Sequence, residues 1–245
     1  MNKIHIIIPA YNEQGNITKL LIDLYNLELS GHKKIIVVDD GSTDKTNQLA
    51  RQFQDKLDLQ VITHPKNLGV PQTFFDGLAV AASKAGDNDI IFIIEGDNTS
   101  DLKVMPQMIN KISSGADIVV ASRYIKGGAY KNFPFYRTLA SQIINLVIKI
   151  FFHLPGITDY TIFYRAYKAQ LIKQALVKHG HNFITTKSFT ANLEILWKAR
   201  KFGKKFDEVP LIYDYGLKKG KSKMNLFKTL LEYQNLIFKR LLGKI

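Results

Sequence analysis

An α/β domain on a doubly wound, mostly parallel sheet is the fold class predicted by the first half of this sequence. Three observations carry it. Short β-branched apolar runs alternate with helix-period segments over the first 125 residues. Those runs are continuous instead of alternating apolar with polar, as strands are when helices cover both faces of a sheet. Three of them end in carboxylates, and open α/β sheets bind their ligands beyond the carboxyl ends of their strands.

The elements follow in order. KIHIIIPA is the first strand, and a helix is expected from about Asn16 to Leu29. KKIIVVDD is the second strand; GSTDKTNQLA then opens a helix that Ser42 or Thr43 can cap, a hydroxyl there accepting from a free first-turn N–H. LQVITH gives the third strand and TFFDGLAVAASKAG a helix. DIIFIIEGD is the fourth strand, LKVMPQMINKIS a helix, and ADIVVASR the fifth strand. From about Gly127 the alternation stops, and helical and irregular segments are expected to close over the sheet. In LASQIINLVIKIFFHLPG, Ser141, Asn145, Lys149 and His153 recur every fourth residue. That polar stripe makes an amphipathic helix lying against the core or a membrane surface. KFDEVPLIYDY is the last strand, and MNLFKTLLEYQNLIFKRLLGKI reads as a basic amphipathic helix. The expected division is a domain of residues 1–223 followed by a helix of residues 224–245.

Composition narrows the chemistry. The 245 residues are 46% hydrophobic, enough for a sizeable core. The absence of cysteine excludes disulfides and thiolate metal sites and suits a reducing cytoplasm. No run reaches the roughly 18 apolar residues of a membrane span, and the N-terminus reads as a strand, without a signal-peptide cleavage site. Of the net charge of +13, a surplus of nine falls from Lys198 onward, thirteen Lys or Arg against four Asp or Glu. Such a basic end suits phosphates, acidic lipid or nucleic acid. Nucleic acid is disfavoured, because no basic–aromatic recognition motif is present and the strand-end acids repel phosphate.

Those strand ends hold the chemistry. The first strand runs into Pro9, Tyr11 and Glu13, the second into Asp39 and Asp40, the fourth into Glu95-Gly96-Asp97. Carboxylates gathered at one sheet edge are costly unless a cation or donor groups compensate. No Gly-rich phosphate loop follows the first strand, which argues against dinucleotide or P-loop binding. A diphosphate can instead be held by a divalent cation on carboxylates, with Arg and Lys on its oxygens. Mg²⁺ or Mn²⁺ prefers such hard ligands, and Glu95 and Asp97 supply them.

IIIPAYNEQGNI, IIVVDDGSTDKT, NLGVPQTFFDGLAVA and the acidic strand end resemble glycosyltransferase family 2 of the GT-A fold. ASRYIKGG, Arg137, Ser141, DYTIFYRAY, EVPLIY and GKSK resemble its dolichyl-phosphate mannosyltransferase-like subfamily, the match running from about Ile4 to Lys223. The resemblance implies a metal-dependent, inverting transfer of a mannose- or glucose-type hexose from a GDP- or UDP-sugar to a polyprenyl or dolichyl phosphate. It implies a peripheral enzyme on the cytoplasmic face of the membrane, and leaves open a separate membrane-anchoring protein and a homo-oligomer. It places Pro9, Tyr11, Glu13, Asp39 and Asp40 on the nucleotide, and Arg123, Arg137 and Ser141 on the acceptor phosphate. Asp97 matches the second acid of a D-x-D metal site, with Glu95 as the first and Thr99 where the subfamily has Gln. Asp159 falls near the reaction centre, and Arg165 completes its motif, in which Ile162 and Phe163 replace Ser and Gly. Leu217 replaces an Arg, leaving Lys218 and Lys219 as the phosphate contacts, point charges where a bidentate fork is usual. Two alternatives are a polysaccharide or glycolipid acceptor and a weakly active nucleotide-sugar-binding homologue.

Overall fold

The structure is a computed structural model that describes residues 2–220 and 226–245. Along the chain, β1 (Ile4–Ala10), α1 (Ile17–Asn26), β2 (Lys33–Asp39), α2 (Thr46–Arg51), β3 (Leu59–Thr63), α3 (Val70–Lys84), β4 (Ile90–Ile93), α4 (Met105–Ser113) and β5 (Ile118–Ser122) alternate as expected. There follow β6 (Ala129–Lys131), α5 (Phe135–Phe151), β7 (Arg165–Lys168), α6 (Ala169–His179), α7 (Ala191–Ala199), β8 (Phe206–Pro210), β9 (Ile212–Asp214) and α8 (Leu226–Leu241).

Seven strands form one sheet in the order β3-β2-β1-β4-β7-β5-β8, and β6 and β9 form a two-stranded ribbon. All neighbours in the main sheet are parallel except β7, which runs antiparallel between β4 and β5. The side chains of Ile6, Ile7, Ile8, Ile35, Val37, Ile91 and Val119 are wholly buried, each contributing about 1.5–3 kcal/mol by leaving water. Gly77 lets α3 lie directly on β1: a Cβ there would come 2.5 Å from Ile7 Cγ2.

Four local differences have physical reasons. Helix α1 ends at Asn26, because Lys33 Nζ binds the carbonyls of Leu24, Tyr25 and Leu27 and closes the chain there. Ser42 and Thr43 do not cap α2; they bind Asn12 across the site loops, and Asp44 accepts from Thr46 N instead (2.9 Å). Strand β7 was hidden at the end of DYTIFYRAY, three of its four residues belonging to that stretch, with no turn signal before it. The last strand divides at Leu211, whose N–H reaches Ser122 O on the main sheet while its carbonyl accepts from Ala129 N beside the ribbon.

Helix α5 is turned inside out relative to a core helix. Its Asn145 is buried, donating to Thr158 O (2.6 Å) and accepting from Tyr160 N (2.8 Å). Ile148 is buried beside it, but several of the helix's other apolar residues face outward, with Leu146 60% and Ile150 67% exposed. Helix α8 buries Tyr233 and Leu236 but leaves Phe227, Phe238 and Leu241 exposed. No helix among the described residues is long and apolar enough to cross a membrane. The expected boundary between residues 223 and 224 lies outside the described residues.

Candidate active site

Two cavities of about 360 and 180 Å³ open side by side at the carboxyl edge of the sheet. Pro9, Tyr11, Glu13 and Asp40 line the larger; Arg123, Arg137 and Ser141 line the smaller. Glu95, Asp97 and Lys218 border both. Most of the residues expected on donor and acceptor thus gather in two neighbouring spaces with one junction, while Asp39 and Lys219 line neither.

The junction follows from how β4 ends. Ile94 N still donates to Ile7 O (3.1 Å), and the chain then passes so close to β1 that a Cβ on Gly96 would lie 2.7 Å from Pro9 O. Asn98 completes the turn at φ +63, a conformation Asn tolerates, and donates to Asn16 O. The turn aims Asp97 at both cavities. One Asp97 oxygen accepts from Thr99 N and Oγ1, and the other accepts from Lys218 Nζ (2.6 Å). Burial pulls the Lys218 ammonium down, but the Asp97 charge outweighs it and holds its pKa above the ordinary value.

Glu95 behaves differently from its neighbour. It accepts from Ser100 Oγ (2.6 Å) and Phe163 N (3.3 Å), and burial, reinforced by the Asp97 charge, pushes its carboxyl up. Thr99 is fully buried, its hydroxyl hydrogen on Asp97. Of the three expected metal ligands, Asp97 faces both cavities, Thr99 donates to it, and Glu95 accepts from Ser100 and Phe163. Among the described residues no three His, Asp or Glu side chains converge on a metal position. A single carboxylate still fits Mg²⁺ or Mn²⁺, which often takes one protein carboxylate and completes its shell with substrate phosphate and water.

On the acceptor side, Arg123 lies in a bidentate pair with Asp159, Nε to Oδ2 and Nη2 to Oδ1 both 2.7 Å. Its guanidinium is 4.9 Å from the Tyr130 ring centroid and 5.6 Å from that of Tyr213, a partly desolvated cation–π seat. Burial would raise the Asp159 carboxyl, but the Arg123 charge and hydrogen bonds hold it below the usual carboxylate range. Asp159, expected near the reaction centre, is wholly buried and paired with Arg123, which lines the smaller cavity. Arg137 donates to Tyr215 OH (3.3 Å), and Ser141 shares hydrogen bonds with the hydroxyls of Tyr130 (2.8 Å) and Tyr124 (3.2 Å).

Other expected residues serve the walls. Asp40 accepts from Leu68 N and Gly69 N (2.8 Å each) and binds His64 Nδ1 (2.7 Å), shaping the loop beside the larger cavity. Asp39 accepts from Ser42 N and Asn47 Nδ2. Lys219 is tied through its backbone to the Asn16 side chain, leaving its own side chain exposed. Arg165 is buried and donates to the carbonyls of Tyr160 and Asn192, a structural brace. Residues 221–223 of GKSK lie outside the described residues.

Sequence reasoning missed Lys187, Phe189, Lys228 and Thr229, which roof the larger cavity. Nothing local marks Lys187 or Phe189. Lys228 was visible only as one charge of a basic helix. Tyr213 and Tyr215, which line the smaller cavity, were also missed; the two aromatics of LIYDY were the available signal.

Residues 5–190 match the family model described as Glycosyl transferase family 2. The chain belongs to glycosyltransferase family 2. Within that family it is 32% identical over 238 residues to a dolichol-phosphate mannosyltransferase of Pyrococcus furiosus, covering 97% of this chain and 63% of the relative. It therefore spans less than two thirds of that relative's length. It is 26% identical over 210 residues to a polyprenol monophosphomannose synthase of Mycolicibacterium smegmatis, covering 85% of this chain and 76% of the relative. Among solved structures it is similar to glucosyl-3-phosphoglycerate synthase from Mycobacterium tuberculosis in complex with Mn²⁺, UDP and glucosyl-3-phosphoglycerate. There the TM-score is 0.66 at 16% identity, with 99% of this chain and 79% of that chain covered. S. aureus TarS in complex with UDP-GlcNAc gives 0.63 at 18%, with 98% of this chain and 66% of that chain covered. These likenesses show the fold of this family 2 chain, which is GT-A.

Proposed function

We propose that this family 2 chain transfers a hexose from a GDP- or UDP-sugar to a polyprenyl phosphate at the cytoplasmic membrane surface. The observation that carries this reading is the junction at Asp97 and Lys218, where a cavity lined by the first-strand residues meets one holding Arg123, Arg137 and Ser141. The names of the two relatives support a polyprenyl phosphate acceptor and favour mannose among hexoses.

The chemistry follows from charge and placement. An acceptor phosphate oxygen, held by Arg123, Arg137 and Ser141, attacks the anomeric carbon. The bond from that carbon to the donor diphosphate breaks, its electron pair leaves with the nucleoside diphosphate, and configuration inverts. The phosphate is already an anion near pH 7, so no general base is needed, and catalysis rests on alignment and preorganised positive charge. Lys218 lies at the junction to meet the departing charge. A divalent ion held on Asp97, Mg²⁺ or Mn²⁺, would neutralise the leaving diphosphate; the solved neighbour containing Mn²⁺ and UDP supports that cofactor. The exposed apolar residues of α5 and α8 support peripheral contact with the bilayer that holds the lipid.

The test is transfer of labelled hexose to a short-chain polyprenyl phosphate, with the unphosphorylated alcohol as control. The reading requires phosphate-dependent product, with a raised acceptor KM in Arg137→Ala. Equal transfer to both lipids, or to a glycan instead, would replace the acceptor.

A further inference from the structure

Away from both cavities, two arginines lie over the only tryptophan of the chain. Arg200 Cζ is 3.4 Å and Arg240 Cζ 5.0 Å from the Trp197 ring centroid. Neither arginine has an ion pair or a side-chain hydrogen bond among the described residues. Arg200 Nε, Arg240 Nε and Trp197 Nε1 are all buried without an acceptor. Lys178 and Lys201 add positive charge; burial and then the Arg240 charge weaken the hold of Arg200 on its proton. The nearby acid, Glu194, is taken up by Lys198 (2.6 Å) and by Thr185 and Thr186. Two guanidiniums brought together with no counter-charge are costly, and the fork of an arginine suits a phosphate oxygen pair.

The place of the cluster says which phosphate. The Trp197 ring packs edge-on against Phe152 at 4.9 Å, directly after α5, where Ile150 is 67% exposed. Arg240 is flanked on α8 by exposed Phe238 and Leu241, followed by exposed Leu242. The cluster thus borders the outward apolar residues of both helices, as a headgroup site borders the acyl region.

We propose that Arg200 and Arg240, stacked on Trp197, form a binding site for the phosphate of an anionic phospholipid headgroup, separate from the acceptor phosphate site. It rests on the reading that the α5 and α8 faces meet the bilayer. It would hold the enzyme on acidic membrane in one orientation while the cavities stay free for substrate.

Trp197 reports on the site directly, so the experiment is fluorescence titration of the whole protein. The probes are vesicles of phosphatidylcholine alone, the same with phosphatidylglycerol, and soluble glycerol phosphate. Phosphatidylglycerol should give a saturable Trp197 response that phosphatidylcholine lacks. Arg200→Gln with Arg240→Gln should weaken partition to the anionic vesicles about 25-fold, fivefold for each charge, without changing the binding to neutral ones. Arg200→Lys with Arg240→Lys keeps the charge but loses the forks, and should lose the saturable response; circular dichroism checks that each variant is folded. A lysine variant that behaves like the native protein would overturn the site in favour of diffuse attraction. Saturation by glycerol phosphate without vesicles would assign the site to a soluble phosphate and overturn the lipid. Equal binding to both vesicles would sink the headgroup site alone, whereas binding to neither would sink the membrane reading with it.

Discussion

The arginine expected to meet the acceptor phosphate is also a buried structural charge. Arg123 pairs with an Asp159 that has no exposure to solvent, and Glu208 in turn accepts from Thr158 N and Asp159 N (2.8 Å each). Truncating Arg123 would leave Asp159 charged and unpaired, at a cost of about 3–5 kcal/mol. Urea unfolding of Arg123→Ala should show that loss, and a loss below 1 kcal/mol would contradict a desolvated pair. Arg137, whose side chain donates to Tyr215 OH, should lose acceptor affinity on truncation with little loss of stability. The strand-end acids were legible in the sequence from their pattern alone, whereas Arg123, Arg137 and Asp159 were named only through the resemblance to the subfamily's motifs. Neither route gave orientations. The hydroxyl of Thr99 is turned to Asp97, a contact between residues two apart across Asn98 that composition does not reveal.

Most elements were legible for the same reason that they are stable: each apolar run is long enough to fill one layer of the sheet. Strand β7 escaped because four residues with an Arg and a Lys among them look like motif, not strand, and only pairing with β4 and β5 makes it one. Helix α5 was read correctly as amphipathic, but which face turns inward depends on Asn145 finding Thr158 and Tyr160, partners more than ten residues away. At the middle of α3, close packing depends on a missing side chain. Gly77→Ala would push a methyl group into Ile7 and Val38, at 2.5 and 3.2 Å. Overpacking of that kind costs about 1–3 kcal/mol, and a thermal melt of the variant should move down accordingly. An unchanged melting temperature would mean that α3 lies less tightly on β1 than described.

Across the whole molecule, the buried acids set the pH range of stability. Asp159 and Glu194 have folded pKa values below their ordinary 3.8 and 4.5, held there by Arg123 and Lys198 against the cost of burial. The stability they contribute is present above those ordinary values and is lost as pH falls through the lower folded ones. Glu95 runs the other way: its raised pKa favours the fold below 4.5, and that contribution fades as pH rises. Unfolding free energy should therefore fall on acidification below about pH 4, and a flat profile there would contradict the buried pairs. The same charges frame the central claim, that sugar leaves a nucleoside diphosphate at the Asp97 and Lys218 junction and reaches a lipid phosphate beside Arg123. The measurement that tests it most directly offers the purified protein a panel of radiolabelled GDP- and UDP-sugars with a short-chain polyprenyl phosphate and Mg²⁺ or Mn²⁺, with EDTA as control. Label from one donor should enter the organic phase, disappear with EDTA, and fall at least about 100-fold in Asp97→Asn, the scale on which preorganised charge acts. Organic-phase label that is indifferent to both EDTA and Asp97, or no label from any donor, would contradict it.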